Sequence, residues 1–190
     1  MQIINIWGGA GVGKSTAAAG LFYEMKKLQL NVELVTEYAK DATWEKRYNI
    51  LDDQIYIFAK QHRRIARLVN SGVDWVITDS PIPLGLVYLR EGVLSDNFPQ
   101  LVMEVFNQYN NHNFLLQRSF GYNPVGRNQK DLEEAKLYDF KVKTILDDYK
   151  LPFDIVQGGE FAVNYIIEQV VTPLAINTNE SKGGYSSNTA

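Results

Sequence analysis

The sequence has no cysteine. That excludes a disulfide framework, a thiolate zinc site and a cysteine nucleophile. Histidine is nearly missing as well: His62 and His112 are the only two, too few for a multi-histidine metal centre. No run approaches the roughly 18 apolar residues of a membrane span. The opening, Met-Gln-Ile-Ile-Asn-Ile-Trp, lacks the positive region of a signal peptide. Positive charge is not in excess either. With 19 basic against 22 acidic residues the net charge is −3, so a strongly basic nucleic-acid surface is not indicated, although a local patch is compatible with it. These absences predict a cytoplasmic, reducing setting and no membrane partner. What is present is the composition of a soluble globular domain, 45% hydrophobic over 190 residues, enough for one full core.

Strand and helix patterns alternate along the chain. Gln2 to Trp7 reads as an isoleucine-rich strand running into a glycine cluster. A helix follows from about Lys14, with Ala18, Leu21, Phe22, Met25 and Leu28 on one face. Val32 to Thr36 is a second strand. Ile55, Phe58, Ala59, His62, Ala66 and Val69 mark one long helix over about 51–70. Trp75 to Thr78 is a third strand, ended by Asp79-Ser80-Pro81. A broken helical region runs to about Asn111, and Phe114 to Gln117 is the fourth strand. Residues 118–130 carry no period and read as a mobile loop. Leu132 to Lys150 is helical, Phe153 to Val156 a fifth strand, and Phe161 to Val171 a last helix. From Pro173 onward the sequence is polar and aperiodic, which predicts a disordered tail over 173–190 behind a single domain over 1–172. Such alternation implies an α/β fold with a parallel sheet covered on both faces.

Gly8-Gly9-Ala10-Gly11-Val12-Gly13-Lys14-Ser15 fits G-x-x-x-x-G-K-[ST] at every position. Glycines permit a loop whose backbone N–H groups close around phosphate oxygens. The following helix adds its N-terminal partial charge. Lys14 is placed to reach the β- and γ-phosphates, and Ser15 to ligate Mg²⁺. A strand precedes the motif and an amphipathic helix follows it. The pattern therefore predicts a nucleoside triphosphate site, without separating kinase, switch and motor.

In an open α/β sheet the ligand lies beyond the carboxyl ends of the strands. Glu37 follows strand two and Asp79 follows strand three. Asp79 suits Mg²⁺, directly or through water; the alternative is a cap or turn residue before Pro81. Glu37 would face the acceptor and take its hydroxyl proton; the alternative is an ion pair with a loop arginine. Arg127, with Arg118 and Lys130, is expected to stabilise charge on the transferred group, unless the loop is merely solvated. Gln54 and Phe58, one turn apart, offer a hydrogen bond and a stacking ring to a base, although an aromatic in such a stripe is more often plain core. Arg63, in His62-Arg63-Arg64, could contact acceptor phosphates or a nucleic-acid backbone. Tyr38 is the neighbouring acceptor-side candidate. His112 reads as structural.

The P-loop, Val-Thr-Glu-Tyr-Ala-Lys, Thr-Asp-Ser-Pro and the Gly-Arg-Asn-Gln loop together resemble the small P-loop kinase-type ATPases that include the ribosylnicotinamide kinase domain of NadR-like proteins. Phage proteins of the AAA-type ATPase and nucleotide-kinase group are similar too. The similarity spans roughly 3–171. It implies a P-loop NTPase three-layer sandwich with a five-stranded parallel sheet of order 2-3-1-4-5 and a lid after strand four. It would place Gly13, Lys14, Ser15 and Thr16 on the triphosphate; the loop motif adds Gly9, Ala10, Gly11 and Val12 as nucleotide-binding candidates, and the basic loop adds Arg118. By similarity to deoxynucleoside kinases, Glu37 matches the acid that serves as base. Those kinases carry Asp/Glu-Arg-Ser after strand three, whereas this chain has Asp79-Ser80-Pro81, a departure on the substrate side. The sensor-bearing second domain of AAA+ motors is not expected in so short a chain.

The leading expectation is an ATP- and Mg²⁺-dependent kinase acting on a hydroxyl of a nucleoside, a nucleotide or a modified nucleobase, hydroxymethylpyrimidine in DNA included. The rival is a nucleotide-dependent switch or regulatory ATPase working through a protein partner. The acceptor and the oligomeric state, homodimer or otherwise, stay open.

Overall fold

The structure is a computed structural model that describes residues 1–119, 121–125, 127 and 129–174. Five strands form its centre: β1 (Gln2–Trp7), β2 (Val32–Val35), β3 (Trp75–Thr78), β4 (Asn110–Gln117) and β5 (Asp154–Gln157). All neighbours pair in parallel, in the order β2-β3-β1-β4-β5. This is the expected α/β sandwich.

Side chains alternate across the sheet as the pleat requires. Ile4 and Ile6 of β1 face one layer. There they meet Leu21 and Met25 of α1 (Lys14–Lys27) and Ala162 and Ile166 of α7 (Glu160–Ile166). Ile3 and Trp7 face the other layer, which holds α4 (Gln54–Ala66), a 3₁₀ helix over Ile82–Tyr88, α5 (Asn97–Phe106) and α6 (Leu132–Asp148). Ile65, Val102, Phe106, Val142 and Leu146 are all buried there. Both faces of the sheet are thus apolar, the condition for a parallel sheet.

Several boundaries differ from the sequence pattern. The single helix expected over 51–70 is shorter: α4 starts at Gln54, where Asp53 caps it by accepting the N–H of Tyr56 at 3.0 Å, and a separate short helix, α3 (Tyr48–Leu51), precedes it. Ile55, Ala59 and Val69, assigned to its buried stripe, are exposed. Leu28 is exposed too, since α1 ends before it. A short helix that the pattern does not show, α2 (Tyr38–Trp44), follows Glu37. β4 begins at Asn110, and its polar start is tied to β1: Asn5 Nδ2 donates to Asn111 Oδ1 at 2.9 Å. α6 is capped by Asp131, which accepts the N–H of Glu134, while Glu134 accepts that of Lys130. Of the expected tail, Pro173 is helical and Leu174 packs on the α1–α7 layer; residues 175–190 lie outside the described residues. No described helix is long and apolar enough to cross a membrane. His112 is half-buried, shares a hydrogen bond of 3.0 Å with Gln2 Oε1, and burial pushes its pKa down.

One buried polar pair joins three elements. Trp7 Nε1 donates to Asn113 Oδ1 at 3.0 Å, and Asn113 Nδ2 donates to the carbonyl of Pro152 at 3.0 Å. Asn113→Leu leaves the buried Trp7 N–H unpaired, and its expected cost is about 1–3 kcal/mol, read as a lower denaturant midpoint with unchanged slope.

Candidate active site

The carboxyl edge of the sheet carries the site. β1 ends at Trp7, the loop 8–13 turns, and α1 begins at Lys14. Gly13 caps α1 at φ +103°, a conformation a side chain would strain. The start of α1 leaves backbone N–H groups without partners inside the helix, and they give the loop its affinity for anions. Lys14 Nζ donates to the carbonyl of Gly9 at 2.9 Å, folding back across the loop. Burial pushes the Lys14 pKa down, and the carboxylates of Glu37, Asp79 and Asp139 pull the other way.

Asp79 joins two elements. Its Oδ2 accepts the Ser15 hydroxyl at 2.6 Å and its Oδ1 accepts the backbone N–H of Glu37 at 3.0 Å. The carboxylate is 2% exposed. A hydroxyl and a carboxylate side by side form an all-oxygen donor pair suited to Mg²⁺. Among the described residues no cluster of three or more His, Cys, Asp or Glu could hold a metal by itself.

A cavity of about 320 Å³ opens over the loop. Gly9, Ala10, Gly11, Gly13, Lys14, Ser15 and Thr16 line it together with Glu37, Lys40 and Arg127. Its apolar lining includes Leu51, Phe58, Leu84, Phe98, Val102 and Tyr138, with Gln54 and the exposed Trp44 among the lining residues. Phe58 meets Phe98 edge-on at 5.8 Å, so it serves the layer contact and the cavity at once. Gln54 Nε2 donates to the carbonyl of Leu51 at 2.7 Å. Desolvation is the largest influence on Glu37 and pushes its carboxyl pKa up, with Asp79 adding to the rise and Lys14 opposing it.

The structure places some expected residues elsewhere. Val12 is buried in the α1–α7 layer, so only its backbone is available to a phosphate. Tyr38 turns to α4: its hydroxyl meets that of Tyr56 at 3.1 Å and its N–H donates to Gln61. Arg63 lies exposed on α4, off the cavity wall, because its neighbours Gln61 and Ile65 take the buried positions. Lys130 is exposed at the start of α6. Arg118 does not line the cavity; its guanidinium is held by Asp139 at 2.7 Å and by the carbonyl of Ala10 at 2.9 Å. Arg127 does reach the cavity, over the ring of Tyr122 with 5.7 Å from Cζ to the centroid.

Tyr88, Tyr122, Gln129 and Asp139 were not found from the sequence. Tyr88 stacks on Tyr138 at 5.1 Å, and desolvation with nearby Glu37 keeps its hydroxyl protonated. Tyr122 donates to the carbonyl of Gln129 at 2.6 Å, and Gln129 is 3% exposed. Asp139 alone left a trace: it lies one turn after Ala135 in the apolar stripe of α6, where an outward acid is out of place.

A family of AAA domains matches residues 3–162. The chain belongs to this family. Three solved structures are similar to this AAA domain in fold. NadR in complex with NAD and AMP-PNP shares 18% identity at a TM-score of 0.63, over 100% of this chain and 51% of that one. NadR in complex with NR gives 16%, 0.62, 100% and 52%. Thymidylate kinase from Ehrlichia chaffeensis gives 15%, 0.59, 91% and 98%. The AAA domain thus spans about half the length of the NadR chains, and at these identities the likeness is one of fold. No curated protein matches by sequence. Fold and family together make the chain a small P-loop NTPase of kinase-like architecture.

The raised Glu37 pKa has a consequence for stability. Between its ordinary value near 4.3 and its folded value the native state binds the extra proton, so stability contributed at this position falls as pH rises through that window. Glu37→Gln is therefore expected to raise the melting temperature of the ligand-free protein at pH 7–8, with the gain shrinking toward pH 4; a scan of melting temperature against pH checks it.

Proposed function

We propose that this AAA domain is an ATP- and Mg²⁺-dependent phosphotransferase that delivers the γ-phosphoryl group to a hydroxyl of a nucleoside, a nucleotide or a modified nucleobase. One observation carries this reading: Lys14 of the phosphate loop and the desolvated Glu37 line the same cavity, which continues into an apolar chamber walled by Phe58, Phe98 and Tyr138. A switch that hydrolyses its nucleotide has no need of such a chamber. The structural neighbours support it, being a thymidylate kinase and proteins holding AMP-PNP or NR.

The chemistry follows from the positions. The acceptor lies in the chamber with its hydroxyl toward Glu37. Glu37 takes the hydroxyl proton as the oxygen bonds to the γ-phosphorus, and the bond to the β-phosphate oxygen breaks, releasing ADP. A carboxylate with a raised pKa is a better base near neutral pH. Lys14 and Arg127 stabilise the charge spread over the equatorial oxygens. Ser15 and Asp79 are the groups that would hold Mg²⁺, whose contribution is to neutralise charge on the β- and γ-phosphates.

An acceptor carried on a nucleic acid has its own support. Trp44, which is exposed, and Lys40 line the cavity, Lys60 and Arg63 are exposed on α4, and Arg67 is exposed just after it. These groups offer stacking and phosphate contacts, against a net charge of −3 overall.

Lys14→Ala is expected to lower transfer about 100-fold or more, and Arg127→Ala about 1000-fold with little loss of ATP affinity. Glu37→Gln should remove transfer while calorimetry shows ATP binding close to wild type; transfer at the wild-type rate overturns the base assignment. A screen with γ-labelled ATP against ribonucleosides, deoxynucleosides, nucleoside monophosphates and hydroxymethylated DNA tests the reaction itself. Label on an acceptor supports the kinase, and label released only as free phosphate supports the switch.

A further inference from the structure

The phosphate loop is gripped from outside at a point that the transfer step does not use. Asp139 Oδ1, on α6, accepts the N–H of Gly9 at 2.9 Å. Arg118, just beyond β4, donates from Nε to Asp139 Oδ2 at 2.7 Å and from Nη2 to Asp139 Oδ1 at 2.9 Å. The same Nη2 donates to the carbonyl of Ala10 at 2.9 Å. An anion thus holds the N–H of one loop residue while its partner cation holds the carbonyl of the next. The pair is sheltered, with side chains 11% and 28% exposed, and its two-pronged geometry fixes orientation as well as distance.

The fit around Gly9 is close. A Cβ there would lie 2.3 Å from Asp139 Oδ1 and 3.1 Å from the carbonyl of Ala135. Glycine at this position therefore lets a whole turn of α6 rest against the loop. Inside the loop Lys14 Nζ takes the remaining Gly9 carbonyl.

We propose that Asp139 is a positioning residue for the nucleotide: through Gly9 and Arg118 it holds the phosphate loop in its receiving shape and so sets triphosphate affinity without touching the triphosphate. This rests on the reading of the loop as a triphosphate site. Two effects of removing the carboxylate have opposite signs. Simple charge counting says that losing an anion beside the loop, with Arg118 left uncompensated, tightens phosphate binding. Loss of positioning says that binding weakens. The sign of the change therefore separates the two.

The test is calorimetric titration of the folded protein with magnesium and AMP-PNP. Asp139→Asn is expected to raise Kd about tenfold, despite the more favourable net charge. Arg118→Lys, which keeps the charge but cannot form the two-pronged contact, is expected to do nearly the same. The double variant Asp139→Asn with Arg118→Gln is expected to be no weaker than Asp139→Asn alone within about twofold, because both changes break one unit. Unchanged or tighter binding by folded Asp139→Asn, with or without a lower melting temperature, overturns the proposal. If that variant does not fold, Arg118→Lys decides on the same criterion. Lys14→Ala in the same titration sets the floor, and no heat from the wild-type protein overturns the triphosphate reading on which the proposal rests.

Discussion

One carboxylate sets the spacing between the two ends of the site. Asp79 leaves β3 at its carboxyl end and divides its oxygens between α1, through the Ser15 hydroxyl, and the start of α2, through the Glu37 N–H. A buried carboxylate is costly unless its lone pairs are filled, so the contacts at its two oxygens oppose drift of either element. The phosphate loop and Glu37 are thereby referenced to the same atom group. β1 and β3 are adjacent in the sheet, and that adjacency brings Asp79 beneath Ser15 in the first place.

The sheet supplies the rigidity that this arrangement needs. Its two faces bury separate apolar layers, and the layer of α4, α5 and α6 also forms the chamber wall. Phe58, Val102 and Val142 therefore serve the core and the cavity together. Such double use links the apolar part of the cavity to the stability of the fold, whereas the phosphate loop is linked to it through α1.

The donor end was legible in the sequence because its chemistry is local. Eight consecutive residues, a preceding strand and a following helix define the phosphate loop, and the glycines and Lys14 need no distant partner to be recognised. Strand order was legible through the resemblance, as were Glu37 and Asp79 through their places at strand ends. The rest of the cavity was not. Tyr38 sits between cavity residues in the chain yet is held by Tyr56 and Gln61, and Arg63 is exposed because Gln61 and Ile65 take the buried positions of α4. The segment 82–111, irregular as a pattern, resolves into a 3₁₀ turn and α5 because Pro81 and Pro83 suit a tight helix start. Arg118 was read by its charge as facing phosphate. Its partner Asp139 lies 21 residues on, and nothing in the intervening sequence announces that the two meet.

The stretch that runs from Arg118 to Asp139 starts and finishes on neighbouring residues of the phosphate loop, which makes it a ring closed by an ion pair. The entropy of closing such a ring grows only with the logarithm of its length, about 0.6 kcal/mol for each doubling. Residues can therefore be gained or lost in the loop ahead of α6 at small thermodynamic cost, while the two anchors keep hold of the phosphate loop.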